Sequence, residues 1–440
     1  MSDDTQSGLI ARVAAARLLD AVLTRKRAFD EAFAAEAASG PLADAEPRDR
    51  GFARAIAGTA LRHLGEIDFV LGRMMEKPLP ARAAMTSAIL RGGAAELLFM
   101  GIAPHAAVGM AVEAASADED AQHYKSLVNA VLRRLSREGR AVLEKADGAR
   151  INTPTWLWMS WVEAYGEEET RAIAKAHMSE PPLDLSFKPG IDRDAWATRL
   201  GGTWLPTGTL RLPAGGRVEA MEGFDEGVWW VQDAAAALPV KLLVISEGED
   251  VLDLCAAPGG KTAECAALGA KVTALDRSAP RLKRLEENLT RLKLEAEIVT
   301  ADAATYAPNR TWGKILLDAP CTATGTARRH PDVLHLKRPG DRDKLALLQA
   351  RLLAHAASLL APGGTLVYCT CSLEAGEGPD QIEAFLAARP DFARLPVKSE
   401  ELGGLSDLVT DAGDMRSLPC DLADQGGMDG FFAARLTRRA

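Results

Sequence analysis

The sequence predicts an α/β fold. A Rossmann-like sheet domain fills the C-terminal half, preceded by an all-helical bundle and a small α+β segment. Three observations predict it. From about Gln232 onward, apolar strand patterns alternate with helical ones, and repeated strand–helix units imply a parallel sheet covered on both faces. From about Leu9 to Leu143, apolar residues recur at helical spacing, without β-branched runs and with proline confined to connections. Where the first strand of the C-terminal half meets its helix, a glycine turn lies where open α/β sheets bind ligands.

A chain of 440 residues has room for about two to four domains. The changes of texture divide it into 1–145, 146–235 and 236–440. In the first part, Ala11–Leu23, Arg50–Leu64, Ala83–Met100, Ala106–Ala114 and Tyr124–Leu135 read as helices of one bundle. In the second, Trp156, Trp158 and Trp161 cluster near a helical start. After Pro181-Pro182 come short alternating stretches at Leu183–Phe187 and Thr209–Leu212. In the third, Val251–Leu254, Lys271–Asp276, Glu297–Asp302, Lys314–Asp318, Thr365–Cys371 and Phe431–Leu436 read as strands. Thr262–Leu268, Pro280–Leu292, Arg342–Leu360 and Gln381–Ala388 read as helices.

Apolar residues make up 47% of the chain, enough for sizeable cores. No apolar run approaches the ~20 residues that span a bilayer, and the acidic N-terminus lacks the basic start of a secretory signal. A cytoplasmic protein without a membrane partner is expected. The net charge of −9, from 52 basic and 61 acidic residues, argues mildly against a nucleic-acid partner unless basic residues cluster locally. Six cysteines are too few for a disulfide scaffold, and several of them sit in or beside motifs.

The glycine turn is the first motif. It runs Asp253-Leu254-Cys255-Ala256-Ala257-Pro258-Gly259-Gly260-Lys261-Thr262. Gly259 and Gly260 let backbone approach a ligand closely, and Asp276, ending the next strand, is placed to hold a ribose diol. Gly260-Lys261-Thr262 matches the end of a phosphate-binding P-loop, but Cys255 stands where its first glycine belongs. A dinucleotide G-x-G-x-x-G is absent. A nucleoside-type ligand is the leading reading, and a turn that binds nothing is the alternative.

Two further strand ends carry thiols. Asp318-Ala319-Pro320-Cys321 follows one strand, and Tyr368-Cys369-Thr370-Cys371-Ser372 closes another. Parallel topology points both at the crevice of the glycine turn, together with Lys261. A thiolate suits covalent catalysis, in which addition to a ring carbon makes the neighbouring carbon nucleophilic. Asp318 is placed to hydrogen-bond the ring edge. Cys255 and Cys265 read as small apolar core residues. Of Cys369 and Cys371, one thiol is expected to reach the site and the other to pack behind it. No Cys/His pair completes a metal site around them, so none is expected. Cys420 lies in an irregular region.

These segments resemble the RNA (cytosine-carbon-5) methyltransferase family. The resemblance is carried by Asp253–Thr262, by Leu317–Asp332 and by Tyr368–Ser372. Val231-Gln232-Asp233, Arg281–Asn288 and Asp429-Gly430-Phe431-Phe432 are similar to further stretches of the same family. Asp49-Arg50, Ile89–Arg91, Pro104–Val108 and Val128–Arg133 resemble the NusB-like RNA-binding domain that precedes the catalytic domain in its bacterial small-subunit ribosomal RNA members. The resemblance implies an enzyme that transfers a methyl group from S-adenosylmethionine to carbon 5 of a cytosine in small-subunit rRNA. By position it implies that Cys255, Ala256, Ala257, Pro258, Gly259, Gly260 and Lys261 line the S-adenosylmethionine site. Asp276 would hold ribose with Arg281 nearby, and Asp302 would lie by the adenine. Asp318 would touch both cofactor and base. Cys371 would be the nucleophile, Cys321 would assist release of the RNA adduct, and Lys261 would join the catalytic group.

The chain also departs from the family. Thr322-Ala323 follows Cys321 where Ser-Gly is usual. Gly376-Glu377-Gly378-Pro379-Asp380 stands where Glu-Glu-Asn-Glu is usual, and Ser186-Phe187-Lys188 where Arg-x-Asn is usual. These departures bear on RNA contacts more than on the reaction. RNA is the expected partner, and the chain is expected to act as a monomer. A target cytosine must be single-stranded or flipped out to reach a buried thiol. Arg328, Arg329, His330 and Lys337, or Arg281, Lys283 and Arg284, are candidates for its phosphates. Arg50, Arg91, Arg133 and Arg134 either bind RNA or cap and pack helices. The alternatives are a methyltransferase of tRNA or another substrate, and a non-catalytic RNA-binding protein.

Overall fold

The computed structural model describes residues 3–439, with side chains from Gly8 onward. Contacts divide the chain into two compact units. One comprises the residues up to Ser179 with Ala327–Lys337. The other comprises Glu180–Thr326 and the chain from Arg338. This differs from the three expected segments. The helices Gly148–Asn152, Thr155–Tyr165 and Glu167–His177 join the helical unit, and the small sheet joins the other. One cause is Asn152, whose side chain accepts from the Glu66 N–H at 3.0 Å and donates to its carboxylate at 2.8 Å. That satisfies an orphan donor at the start of the helix Leu64–Met74.

The helical unit is built as its periodicity predicts. Asp3–Leu23, Pro47–Arg62, Ala84–Leu98, Pro104–Ser116 and Lys125–Leu143 bury Leu18, Leu19, Ile56, Leu61, Leu90, Val128 and Leu132 in one core. The expected helix Arg50–Leu64 is Pro47–Arg62, started by Pro47, whose missing N–H costs nothing in a first turn. After a break at His63 a further helix, Leu64–Met74, follows. Alanines and glycines let the helices close. A Cβ on Gly93 would sit 2.7 Å from Leu132 Cδ1. The returning segment is held in this unit by side chains. The Phe29 N–H donates to Asp332 at 2.9 Å, Arg62 donates to the Arg328 carbonyl at 2.9 Å, and the His335 ring lies 2.8 Å from the Leu61 carbonyl.

The second unit holds two sheets. The smaller is antiparallel, in the order β2-β3-β1-β4, from β1 (Leu183–Phe187), β2 (Thr203–Trp204), β3 (Leu210–Leu212) and β4 (Trp229–Val231). The larger has β5 (Asp250–Leu254), β6 (Lys271–Asp276), β7 (Glu297–Thr300), β8 (Trp312–Asp318), β9 (Leu360–Thr370), β10 (Phe392–Arg394), β11 (Met415–Ser417) and β12 (Phe431–Arg438). Its order is β10-β12-β9-β8-β5-β6-β7, with β11 also on β12. Successive side chains feed opposite faces. Ile315, Leu317, Leu366 and Tyr368 enter one core, while Leu316, Val367 and Cys369 enter the other.

The sheet is mixed, which corrects the expected parallel sheet. β5, β6, β7, β8 and β9 pair in parallel, but β12 runs antiparallel to β9, β10 and β11. Parallel neighbours need a long crossover, usually a helix. After the helix Pro379–Ala388 the chain offers only 3-10 turns, so its last strands return antiparallel.

Candidate active site

The parallel strands present their carboxyl ends at one edge of the sheet, where open α/β sheets place ligands. Beyond β5, Cys255 has φ +63° and Gly259 φ +103°. A Cβ on Gly259 would lie 2.7 Å from Leu285, and one on Gly260 would meet nothing nearer than 3.9 Å. Gly259 is therefore required by the turn, and Gly260 leaves room for a ligand. Ala256 and Ala257 are buried and Pro258 is exposed.

Asp276 ends β6 and is buried. It accepts from the Ser278 N–H at 2.9 Å and from the Ala257 N–H at 3.3 Å. Arg281 pairs with it at 3.4 Å and donates to the Ala257 carbonyl, so Arg281 braces the turn. Asp302 is exposed just past β7 and accepts from the Ala304 N–H at 2.9 Å. These residues fit a nucleoside. Two carboxylates at neighbouring strand ends suit hydroxyls, small residues admit backbone contact, and the buried Asp253 Oδ1 lacks a hydrogen-bond partner. Burial pushes the Asp253 carboxyl up to about 7, against the opposing bond from Thr262 at 2.6 Å.

Beside the turn, Lys261 reaches Asp318 at the end of β8, with Nζ 2.7 Å from Oδ2. Burial opposes the Lys261 charge, but Asp318 more than offsets this and holds the ammonium charged. Lys261 also stands 4.9 Å from the centre of the Phe431 ring. Register pairs Asp318 with Cys369, whose Sγ lies 3.5 Å from Asp318 Oδ1. Cys369 is buried, and burial pushes its thiol up.

The two thiols from separate strand ends meet. Cys321 Sγ and Cys371 Sγ are 3.5 Å apart, and both residues are half-buried. The hydrogen bond with Cys371, then burial, pushes the Cys321 thiol well up, so Cys321 keeps its proton. Burial pushes Cys255 up to about 12, helped by nearby carboxylates, which removes it as a rival thiolate. Cys265 is buried in the core.

The motif reading missed Glu377, a buried carboxylate behind both thiols; its only signal was an acid shortly after Cys371. It also missed the orphaned Asp253 oxygen. Of the candidate phosphate ligands, Arg328 is 1% exposed and belongs to the helical unit, so its expected place as a surface contact is corrected. Arg329, His330 and Lys337 belong to that unit too. Arg284 is exposed, and Lys283 makes only a 4.0 Å surface pair with Glu287. Arg50 donates to the Leu42 and Ala43 carbonyls, Arg91 pairs with Asp68, Arg133 bonds Asn129 and Arg134 bonds Glu138. These are bonds within the bundle. Among the described residues no group of three metal-ligating side chains occurs, and no helix is long and apolar enough to cross a membrane.

Two families match separate stretches of the chain. Residues 240–437 match the family described as 16S rRNA methyltransferase RsmB/F, and residues 9–137 match the NusB family. Ribosomal RNA small subunit methyltransferase B of Pseudomonas putida is 37% identical, covering 98% of this chain and 98% of its own. Its namesake from Vibrio vulnificus is 35% identical, covering 98% and 99%. A solved methyltransferase homologue from Pyrococcus horikoshii is 26% identical with a TM-score of 0.55, covering 66% of this chain and 97% of its own. Another crystal structure, 24% identical with a TM-score of 0.77 over 98% of this chain and 99% of its own, shares the fold.

Proposed function

Because the chain belongs to the RsmB/F family of 16S rRNA methyltransferases, we propose that it methylates carbon 5 of a cytosine in small-subunit rRNA, with Cys371 as nucleophile and Cys321 as the releasing group. The observation that carries this reading is the 3.5 Å approach of the two sulfurs beside the Lys261–Asp318 pair. Amine or carboxylate methylation needs no covalent thiol, let alone two.

S-adenosylmethionine, held by the turn Cys255–Lys261 with Asp276 and Asp302, supplies an electrophilic methyl group for carbon 5. The thiolate of Cys371 adds to carbon 6 of the cytosine, and the ring double bond's electron pair moves onto the ring, making carbon 5 nucleophilic. In this reading Asp318, oriented by Lys261, hydrogen-bonds the ring edge. The methylated adduct carries both methyl and hydrogen on carbon 5. The hydrogen bond with Cys371, then burial, holds the proton on Cys321. Bonding of Cys371 to carbon removes the first of these holds, and Cys321 gives its proton to solvent. The Cys321 thiolate then takes the carbon 5 proton. The C–H pair restores the ring double bond, and the C6–Sγ pair returns to Cys371.

The test uses the full chain, S-adenosylmethionine and unmodified small-subunit rRNA. Cys371→Ser is expected to lower turnover by at least about a thousandfold and to leave S-adenosylmethionine affinity intact. Cys321→Ala is expected to accumulate a covalent protein–RNA adduct on a denaturing gel. An adduct that survives loss of Cys371 and requires Cys321 reverses the two roles.

A further inference from the structure

The two thiols are held by unequal means. Cys371 directly follows β9, where Cys369 and Thr370 pair with Ala433 and Phe432 of β12, and its carbonyl accepts from the Gly325 N–H at 3.0 Å. Cys321 lies past the end of β8, beyond the Asp318–Cys369 pair that closes the register. The residue after it is tied to one carboxylate.

That carboxylate is Glu377, fully buried in the 3-10 turn Ala375–Glu377. Its Oε1 accepts from the Thr322 N–H at 3.0 Å and from Gln349 Nε2 at 3.0 Å. Its Oε2 accepts from the Thr322 N–H at 3.2 Å, from Ser372 Oγ at 2.6 Å and from the Thr322 hydroxyl. Thr322 adjoins Cys321, and Ser372 adjoins Cys371. Gln349 also donates to the Pro320 carbonyl at 2.9 Å, so the Cys321 loop is gripped on both sides of the thiol. The turn is fastened in its own right, because the Glu377 carbonyl accepts from Tyr368 Oη at 2.8 Å and from Thr370 Oγ1 at 3.2 Å. A carboxylate taken out of water is costly unless donors surround it. Here they do, and each donor but Gln349 belongs to a residue next to one of the thiols.

The geometry points to Glu377 as a positioning residue that sets the spacing of the two sulfurs, and through it the release of methylated RNA from Cys371. This rests on the thiol roles proposed above. Cys371 keeps its strand support without Glu377, so attack and methyl transfer should persist. The Cys321 loop keeps its holds at Pro320 and Gly325 but loses the one at Thr322, the residue next to the thiol, so removal of the carbon 5 proton should fail first.

The experiment compares the full-length Glu377→Gln, Cys321→Ala and wild-type proteins on unmodified small-subunit rRNA with S-adenosylmethionine. Gln keeps the size of Glu377 but turns an amide N–H toward the hydroxyl donors. Glu377→Gln is expected to lower steady-state turnover by at least about tenfold, since small misplacements of reacting groups carry large rate penalties. First-turnover methyl transfer should stay within about threefold, and KM for S-adenosylmethionine within about twofold. A protein–RNA band should accumulate on a denaturing gel and vanish in the Glu377→Gln, Cys371→Ser double variant. If Glu377→Gln does not fold, Thr322→Val, which deletes one anchoring hydroxyl, is expected to give the same band more weakly. If Cys321→Ala traps adduct but Glu377→Gln and Thr322→Val lower every step in proportion without a band, Glu377 is merely structural and the proposal is overturned. If Cys321→Ala traps no adduct, the thiol assignment itself falls, and this proposal falls with it for that separate reason.

Discussion

The two compact units are specified by different kinds of contact. The core of the helical unit is aliphatic, largely alanine and leucine with valine and isoleucine. Buried charges such as Glu96, with Arg12, are paired within the unit, and the arginines named as RNA candidates mostly bond within the unit, as Arg50 does to the Leu42 and Ala43 carbonyls. The sheet unit has apolar cores too, but at its carboxyl edge it buries Asp253, Lys261, Asp276 and Glu377. Packing is forgiving of chemistry and strict about volume. Charged hydrogen bonds are strict about both. Damage to the helical unit should therefore appear first as lost stability, and damage at the sheet edge first as lost activity.

The sharpest way to break this contrast is a cavity in the helical core. Leu132, buried against Gly93, is expected to cost about 2–5 kcal/mol as Leu132→Ala. Hydrogen exchange in Pro47–Arg62 and Lys125–Leu143 would report it, with S-adenosylmethionine affinity unchanged. A loss of cofactor affinity of similar size would mean that the units do not divide the labour this way.

Acid and base should separate the units by sign. His177 is buried in the helical unit with neither ring nitrogen hydrogen-bonded among the described residues. Burial, with Arg328 and Arg62 nearby, lowers it to about 3. The unfolded chain binds a proton near pH 6.5 and the folded one does not, so stability falls as pH drops from 6.5 toward 3. At pH 5 the loss is on the order of 2 kcal/mol, and His177→Phe should remove it. Asp253 has the opposite sign. Its folded carboxyl is raised to about 7, so its contribution falls as pH climbs from about 4 to about 7 and is flat beyond. Asp253→Asn should flatten that slope. Denaturation midpoints across pH, read in each unit by exchange, would show both effects, and slopes of the same sign would refute the assignment.

The smallest effect expected is at the surface. Arg91 pairs with Asp68 at 2.8 Å, with both side chains partly exposed. Arg91→Ala should change stability by less than about 1 kcal/mol. A clear loss of RNA binding in that variant would sharpen the comparison, giving the bundle a binding face that its internal bonds do not reveal.

Much of the candidate site was legible because its residues are local. The turn Cys255–Lys261, Asp276, Asp318, Cys321 and Cys371 each sit at the end of a strand whose apolar pattern announces it. The strands themselves were legible because alternate residues feed two cores, as Leu316 and Leu317 do. Other features were not. Arg328 follows the Cys321 motif and reads as a surface base, yet the chain from Ala327 to Lys337 folds into the helical unit and buries it. Gly376–Asp380 reads as a departure from the family, yet Glu377 within it bonds residues beside both thiols.

The sequence by itself determined the main helices and parallel strands and which chemical groups stand at their ends. Periodicity reports which face of each element leaves water, and motifs report local turns. Tertiary structure alone decided the 3.5 Å between two sulfurs fifty residues apart, the antiparallel return of β12 and the partners of Glu377. Those depend on strand register and on hydrogen bonds across distant segments, which periodicity along the chain does not encode.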